Sequence, residues 1–374
     1  MTAPRLFPLA AARSIGVLIV AFACVQESIP TGPELENRPA VSNPPISPPP
    51  PPPPSAPSPS SDNRRSFVWS EEAGFTILEN PPGAILVAAD GINATGEVVG
   101  TLIMAPSAGA PIYRGFRWSA ARGFTYIIAP SGANTYLRGI DDQGNIVGYT
   151  ERFALREAFS WKEAEGFRTL GIPVPNLHVL GIRDGVVFGN FASTQSSRPF
   201  RLRLNAGQVE QFTTVNAYGG GVMDANQRGE AVGYDGNIDH GFGGTSDAVF
   251  WDQTGNRTVA YDCKGEDDCF AHLVGVSSSG LAVGKVARSQ MDDTKVFKWS
   301  RSAGLEYIDV PYARWQGIDV AGITDDGSIL AHNGANGFVF KPSGAVTVIR
   351  PPSTHQVVQT RAMNRNGQVI GMLF

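Results

Sequence analysis

The chain has 374 residues, 42% of them hydrophobic, which is enough apolar material for a large core. Its net charge of −4 offers no basic footprint for DNA or RNA, so nucleic acid is excluded as a partner. With 43 glycines, 17% charged residues and no amphipathic helical stretch after the first residues, the composition suits a turn-rich all-β protein.

Residues 1–23 read as a secretory signal peptide. Arg5 and Arg13 make a cationic start, Ile15 to Ala23 is an apolar run too short to span a bilayer, and Ala21-Phe22-Ala23 is a small-x-small cleavage site. Cys24 follows directly, as in the bacterial lipoprotein signal, where the Cys is lipidated and becomes the new N-terminus. Simple cleavage is the alternative, because Ala21 stands where Leu is usual. The expectation is an exported protein, either a cell-envelope lipoprotein whose only membrane contact is that lipid anchor, or a secreted one. Residues 24–65 are a Pro/Ser-rich tether that includes the run Pro48 to Pro54. Such a segment cannot bury a core and forms a polyproline spacer rising ~3.1 Å per residue where extended.

From 66 to 374 the chain repeats itself. One phrase begins at Ile92, Ile140, Ile182, Ala225, Val276, Ile323 and Met363. It runs apolar, then Asn93, Asp141, Asn226, Ser277, Thr324 or Asn364, then Gly three positions later, one free position, two apolar residues and a small one. The copy at Ile182 is a residue short, with Arg183 in the polar slot. The pattern predicts a tight hairpin: the polar side chain accepts bonds from the backbone ahead of it, and Gly supplies a positive φ. The small residue at the end, such as Gly100 or Gly148, predicts a close backbone approach. A second phrase carries Trp69, Trp118, Trp161, Leu202, Trp251, Trp299 or Phe340 and alternates with the first.

Each repeat holds four short apolar runs, for example Tyr136 to Asp141, Asn145 to Thr150, Glu157 to Lys162 and Gly166 to Gly171. Four strands per unit predicts a β-propeller, and seven copies predict seven blades. Because the hairpin joins first and second strands, the chain enters with two strands, Phe67 to Ser70 and Phe75 to Leu78. It leaves with two more, Val357 to Asn364 and Gln368 to Phe374, which complete the same blade and hide the sheet edges.

The alternation of Ala158-Phe159-Ser160-Trp161 with Ile92 to Gly100 resembles the HAF-type extracellular repeats of bacteria over 66–374. The triplet His-Ala-Phe is absent in literal form, replaced by Gly115-Phe116, Ala158-Phe159, Pro199-Phe200 and Gly337-Phe338. The strand order also resembles kelch propellers, without their double glycine. The resemblance implies an exported propeller and brings no catalytic residues with it.

Longer connections, second-to-third and fourth-to-first, share one face of such a ring, and function favours long loops on a rigid scaffold. The candidate binding residues on that face are Tyr113, Tyr149, Arg152, Arg156, Tyr234, Asp235, His240, Arg288, Asp292, Tyr312, Arg314 and Trp315. This mixture suits a glycan or a protein partner, bound by a monomer without a cofactor. Cys263 and Cys269 read as a disulfide across a small acidic loop. Asp235, Asn237 and Asp239 have the alternating oxygens of a calcium loop, but His240 stands where the sharp turn needs Gly and no Glu follows at the twelfth position. His178 and His272 occupy equivalent positions on first strands, where they line the channel or bond within the sheet. No nucleophile elbow or phosphate loop is present. The leading reading is a non-enzymatic binding module. The alternative is a polysaccharide hydrolase or lyase using Asp235, Asp239, Asp267 or Asp292 with His240 or an arginine at the channel mouth.

Overall fold

The computed structural model describes residues 63–374 except 107–108, 154, 173–176, 193–196, 217–218, 237–244, 265, 267–268, 289–293 and 311–316. The signal, Cys24 and the Pro-rich tether lie outside the described residues. The described regular structure is all strand, without a helix.

The chain opens with β1 (Arg65–Ser70) and β2 (Gly74–Ile77). Next come β3 (Ala84–Ile92), β4 (Val98–Met104), β5 (Ile112–Ser119) and β6 (Gly123–Ile127). They are followed by β7 (Asn134–Ile140), β8 (Ile146–Arg152), β9 (Leu155–Lys162) and β10 (Gly166–Thr169). Then come β11 (Leu177–Arg183), β12 (Val186–Ala192), β13 (Ser197–Arg203) and β14 (Val209–Gln211). The next eight are β15 (Gly220–Ala225), β16 (Ala231–Gly236), β17 (Ser246–Trp251), β18 (Arg257–Tyr261), β19 (Cys269–Val276), β20 (Ala282–Arg288), β21 (Lys295–Ser300) and β22 (Gly304–Ile308). The chain ends with β23 (Asp319–Ile323), β24 (Ile329–His332), β25 (Gly337–Phe340), β26 (Val346–Ile349), β27 (Val358–Met363) and β28 (Val369–Leu373).

The expectation of seven separate blades is corrected. Among the described residues five discrete four-stranded blades are found, and the remaining eight strands, β15 to β22, form one continuous sheet. A parallel bridge between Ser246 and Phe270 joins β17 to β19. Its cause is local. The Cys263–Cys269 disulfide closes the loop before β19, the Cys263 amide donates to Asp247 Oδ1 at 3.0 Å, and Ser246 Oγ donates to the Ala271 carbonyl at 3.3 Å. The start of β19 is thereby held against the start of β17.

The ends of the chain pair as the repeat phasing predicts, β1 running antiparallel to β28 from Arg65↔Leu373 to Trp69↔Val369. The first strands β3, β7, β11, β15, β19, β23 and β27 contact one another in cyclic order around an axis. At the axis a side chain is too large for some positions: a Cβ on Gly139 would lie 3.0 Å from the Ile182 nitrogen.

The repeat phrase performs the roles its chemistry predicts. Asp141 Oδ1 accepts from the amides of Gln143 at 3.0 Å and Asn145 at 2.9 Å, and Gly144 sits at φ 76°. The same polar residues also tie neighbouring units together. Asp141 Oδ2 accepts from the Gly185 amide, Asn364 Nδ2 donates to the Asn93 carbonyl, and Asn226 Nδ2 donates to the Ser277 carbonyl. The glycine that closes six of the phrases faces the partner strand's backbone, as at Gly148, where a Cβ would overlap the Tyr136 carbonyl oxygen. Of the third-strand anchors, Trp69, Leu202, Trp251, Trp299 and Phe340 are buried, and Trp118 and Trp161 pack, partly buried, against the core. Trp251 is fully buried, stacks on Phe212 and donates Nε1–H to the Thr213 carbonyl.

Candidate functional site

The first strands share an irregularity that sequence periodicity does not reveal. Each slips register by one residue just before the repeat phrase, which leaves Asp90, Arg138, Leu180, Met223, Val274, Ala321 and Arg361 unpaired. A β-bulge re-aims its extra side chain. All of these residues line one axial cavity of ≈ 540 Å³. Three consecutive positions around the ring are charged: Asp90 Oδ1 accepts from Arg361 Nη2 at 2.9 Å and from Arg138 Nη1 at 3.3 Å. The other four are apolar.

At the end of the ring carrying the polar-Gly hairpins, the cavity is lined by Asp141, Asp142, Asp184 and Asp325 with Arg183 and Arg365. Burial, with Asp142 and Asp141 close by, pushes the Asp184 carboxyl up. Arg183 lies 3.6 Å from Asp224 Oδ2 and donates to the Val276 carbonyl at 3.3 Å. Burial pushes Asp224 up despite that guanidinium.

Toward the opposite end, three tyrosines form a ladder. Tyr113 and Tyr136 have ring centroids 5.0 Å apart, and Tyr136 stacks on Tyr149 at 4.7 Å and 18°. Arg156 lies over the Tyr149 ring at 4.9 Å and donates Nε–H to Glu151 at 2.9 Å. Arg138 Nη2 donates to the Tyr149 hydroxyl at 3.2 Å, and Tyr136 donates to Glu151 at 3.2 Å. Burial and the Glu151 carboxylate push the Tyr136 phenol up. Arg156 Nη1 sits 3.2 Å from His178 Nδ1, and burial followed by the charges of Arg156 and Arg138 holds that imidazole below its usual value.

Across the ring Asp319 forms an ion pair with Lys285, and His332 Nδ1 bonds the Thr360 hydroxyl at 3.1 Å. Burial raises the Asp319 carboxyl, but the Lys285 hydrogen bond and charge outweigh it and hold Asp319 below the usual carboxylate range. Burial lowers His332.

Of the sequence candidates, Tyr113, Tyr149 and Arg156 come together in the ladder. Tyr113 lies on β5, Tyr149 on β8 and Arg156 on β9, because strand pairing continues further outward than the loop assignment predicts. Arg152 packs over Phe153, and Arg288 donates to Glu266 at 3.0 Å. Tyr234 is on β16, away from the ladder. Asp235 is buried and engaged: its oxygens accept from the Val215 and Asn216 amides, and Arg257 Nε lies 2.7 Å away. That carboxylate ties the segment before β15 to β16 and faces Arg257 on β18. Among the described residues no group of three or more His, Cys, Asp or Glu is arranged to hold a metal. Asn237, Asp239, His240, Asp267, Asp292, Tyr312, Arg314 and Trp315 lie outside the described residues.

None of the described candidates lines the axial cavity. Reasoning from loops missed Asp90, Arg138 and Arg361, although a readable signal exists: each stands two residues before its repeat phrase.

No known family model matches the chain, and no curated protein matches it in sequence. Solved structures do resemble it. Streptogramin B lyase aligns over 83% of this chain and 98% of its own, at 11% identity and a TM-score of 0.50. The β-propeller domain of the trilobed protease from Pyrococcus furiosus aligns over 75% of this chain and 87% of its own, at 12% identity and a TM-score of 0.51. The acylaminoacyl peptidase of Pyrococcus horikoshii aligns over 79% of this chain and 50% of its own, at 8% identity and a TM-score of 0.52. Identities this low carry the fold alone: the chain is a β-propeller.

Proposed function

We propose that the chain is an exported propeller with HAF-type repeats that acts as a non-enzymatic glycan-binding module, held at the cell envelope through Cys24 and its Pro-rich tether. The observation that carries this reading is the Tyr113–Tyr136–Tyr149 ladder with Arg156 and Glu151 at its side. Rigid aromatic faces flanked by charged hydrogen-bonding groups suit the apolar face and hydroxyls of a sugar ring, and strand ends hold them in place. A bacterial polysaccharide array probed with the full chain and with Tyr113→Ala and Tyr136→Ala tests it. Capture falls at least tenfold in both variants; equal capture by wild type and both variants overturns the reading.

An enzymatic alternative, a polysaccharide hydrolase or lyase, loses Asp235 to structural bonds. It gains a different carboxylate and histidine, Asp319 and His332, both at the cavity wall. Asp319→Asn and His332→Gln would each abolish depolymerisation of a captured polysaccharide if this reading holds.

A further inference from the structure

The bulge ring around the axis is chemically divided. On one arc, Arg361, Asp90 and Arg138 place one carboxylate between two guanidiniums, which leaves that arc with a net positive charge. Arg361 has 58% of its side chain exposed although it lines the axial cavity, and among the described residues its guanidinium hydrogen-bonds only from Nη2 to Asp90. On the other arc, Leu180 and Met223 are each 38% exposed within the same cavity, beside Val274. Apolar surface left uncovered in a concave site favours an apolar occupant. The hairpin end of the cavity adds a third constraint. Asp142, Asp184 and Asp325 stand there in the turns, each four residues after its bulge, and with Asp141 they outnumber Arg183 and Arg365, so this end disfavours a second negative charge. At ≈ 540 Å³ the cavity falls within the range of small-molecule pockets, about 300–1,000 Å³.

We propose that the axial cavity binds a small amphiphile with a single carboxylate head and an unbranched apolar body, the head on Arg361 and Arg138 and the body against Leu180, Met223 and Val274. The fork of a guanidinium gives two N–H groups to the two oxygens of a carboxylate, where a hydroxyl accepts without a charge and an ammonium cannot accept at all. The cavity adjoins the tyrosine ladder through Arg138, whose Nη2 donates to the Tyr149 hydroxyl, whereas Arg361 among the described residues bonds only Asp90, so Arg361→Ala tests the cavity without touching the ladder.

Isothermal titration of the full chain with octanoate, octan-1-ol and octylammonium tests the assignment. Octanoate binds one per chain, octan-1-ol at least tenfold more weakly, and octylammonium more weakly than either. Arg361→Ala, in which Asp90 keeps Arg138 as a partner, weakens octanoate at least tenfold and leaves octan-1-ol unchanged. Met223→Asp, checked by circular dichroism to be folded, weakens octanoate and octan-1-ol together. Absence of octanoate binding to the wild type, equal binding of octylammonium, or an unchanged Arg361→Ala affinity each overturns the proposal.

Discussion

The two ends of the propeller use polar side chains in opposite ways. At the hairpin end, Asn93, Asp141, Asn226, Ser277 and Asn364 are all buried, and each bonds backbone of its own turn. At the opposite end, Tyr113, Tyr136, Tyr149, Arg156, Glu151 and His178 bond chiefly to one another and stay partly exposed, apart from Tyr149. Polar groups that satisfy backbone amides in a dry site stabilise a fold, because losing them strands buried donors. Polar groups that satisfy each other at a wet surface can exchange partners for a ligand at little cost. The ring is therefore held at one end and available at the other.

Substitutions can break that contrast. The largest effect is expected from Gly148→Ala, whose new Cβ would meet the Tyr136 carbonyl: a loss on the order of 4 kcal/mol or failure to fold, read by urea denaturation. Asp141→Ala strands the amides of Gln143, Asn145 and Gly185 and should cost about 3 kcal/mol by the same measurement. Reducing Cys263–Cys269 should cost roughly 2 kcal/mol, and Cys263→Ser with Cys269→Ser should reproduce that loss.

Acidification sharpens the contrast more gently. His178 and His332 have folded-state values depressed below the ordinary imidazole value, so the unfolded chain binds protons first as the pH falls. Their contribution is fully present above about pH 6.5 and is lost below it. The urea midpoint should drop between about pH 7 and about pH 5.5, and less so in His178→Gln with His332→Gln. Asp319, depressed in the carboxylate range, loses its contribution only at lower pH. The smallest effect is expected from Tyr113→Ala, within about 1 kcal/mol of wild type, since it ends the ladder without meeting buried backbone. A larger loss would make the ladder a structural element and remove the contrast.

The candidate site was partly legible beforehand. Tyr113, Tyr149 and Arg156 were readable because their strands flank a long connection, and their convergence follows from β5, β8 and β9 ending on one side. Tyr136 and Glu151, which complete the cluster, were hidden because nothing local distinguishes them from other strand residues. Asp235, read as a loop residue beside Gly236, instead lies on β16, where two amides donate to it and Arg257 Nε stands 2.7 Å away, none of which is local in sequence.

What the order of residues determined alone was the all-β class, the hairpin at each polar-Gly phrase, the close approach at the small residues and the joining of the two chain ends. Each depends on neighbours a few residues apart or on counting strands. Only the tertiary structure decided that five blades stand separate while β15 to β22 share one sheet, since a single bridge between Ser246 and Phe270 makes the difference. It likewise decided which side chains face the axis. A bulge turns one residue out of the ladder, and whether that residue meets an arginine, an aspartate or a leucine across the cavity depends on units far apart in the chain.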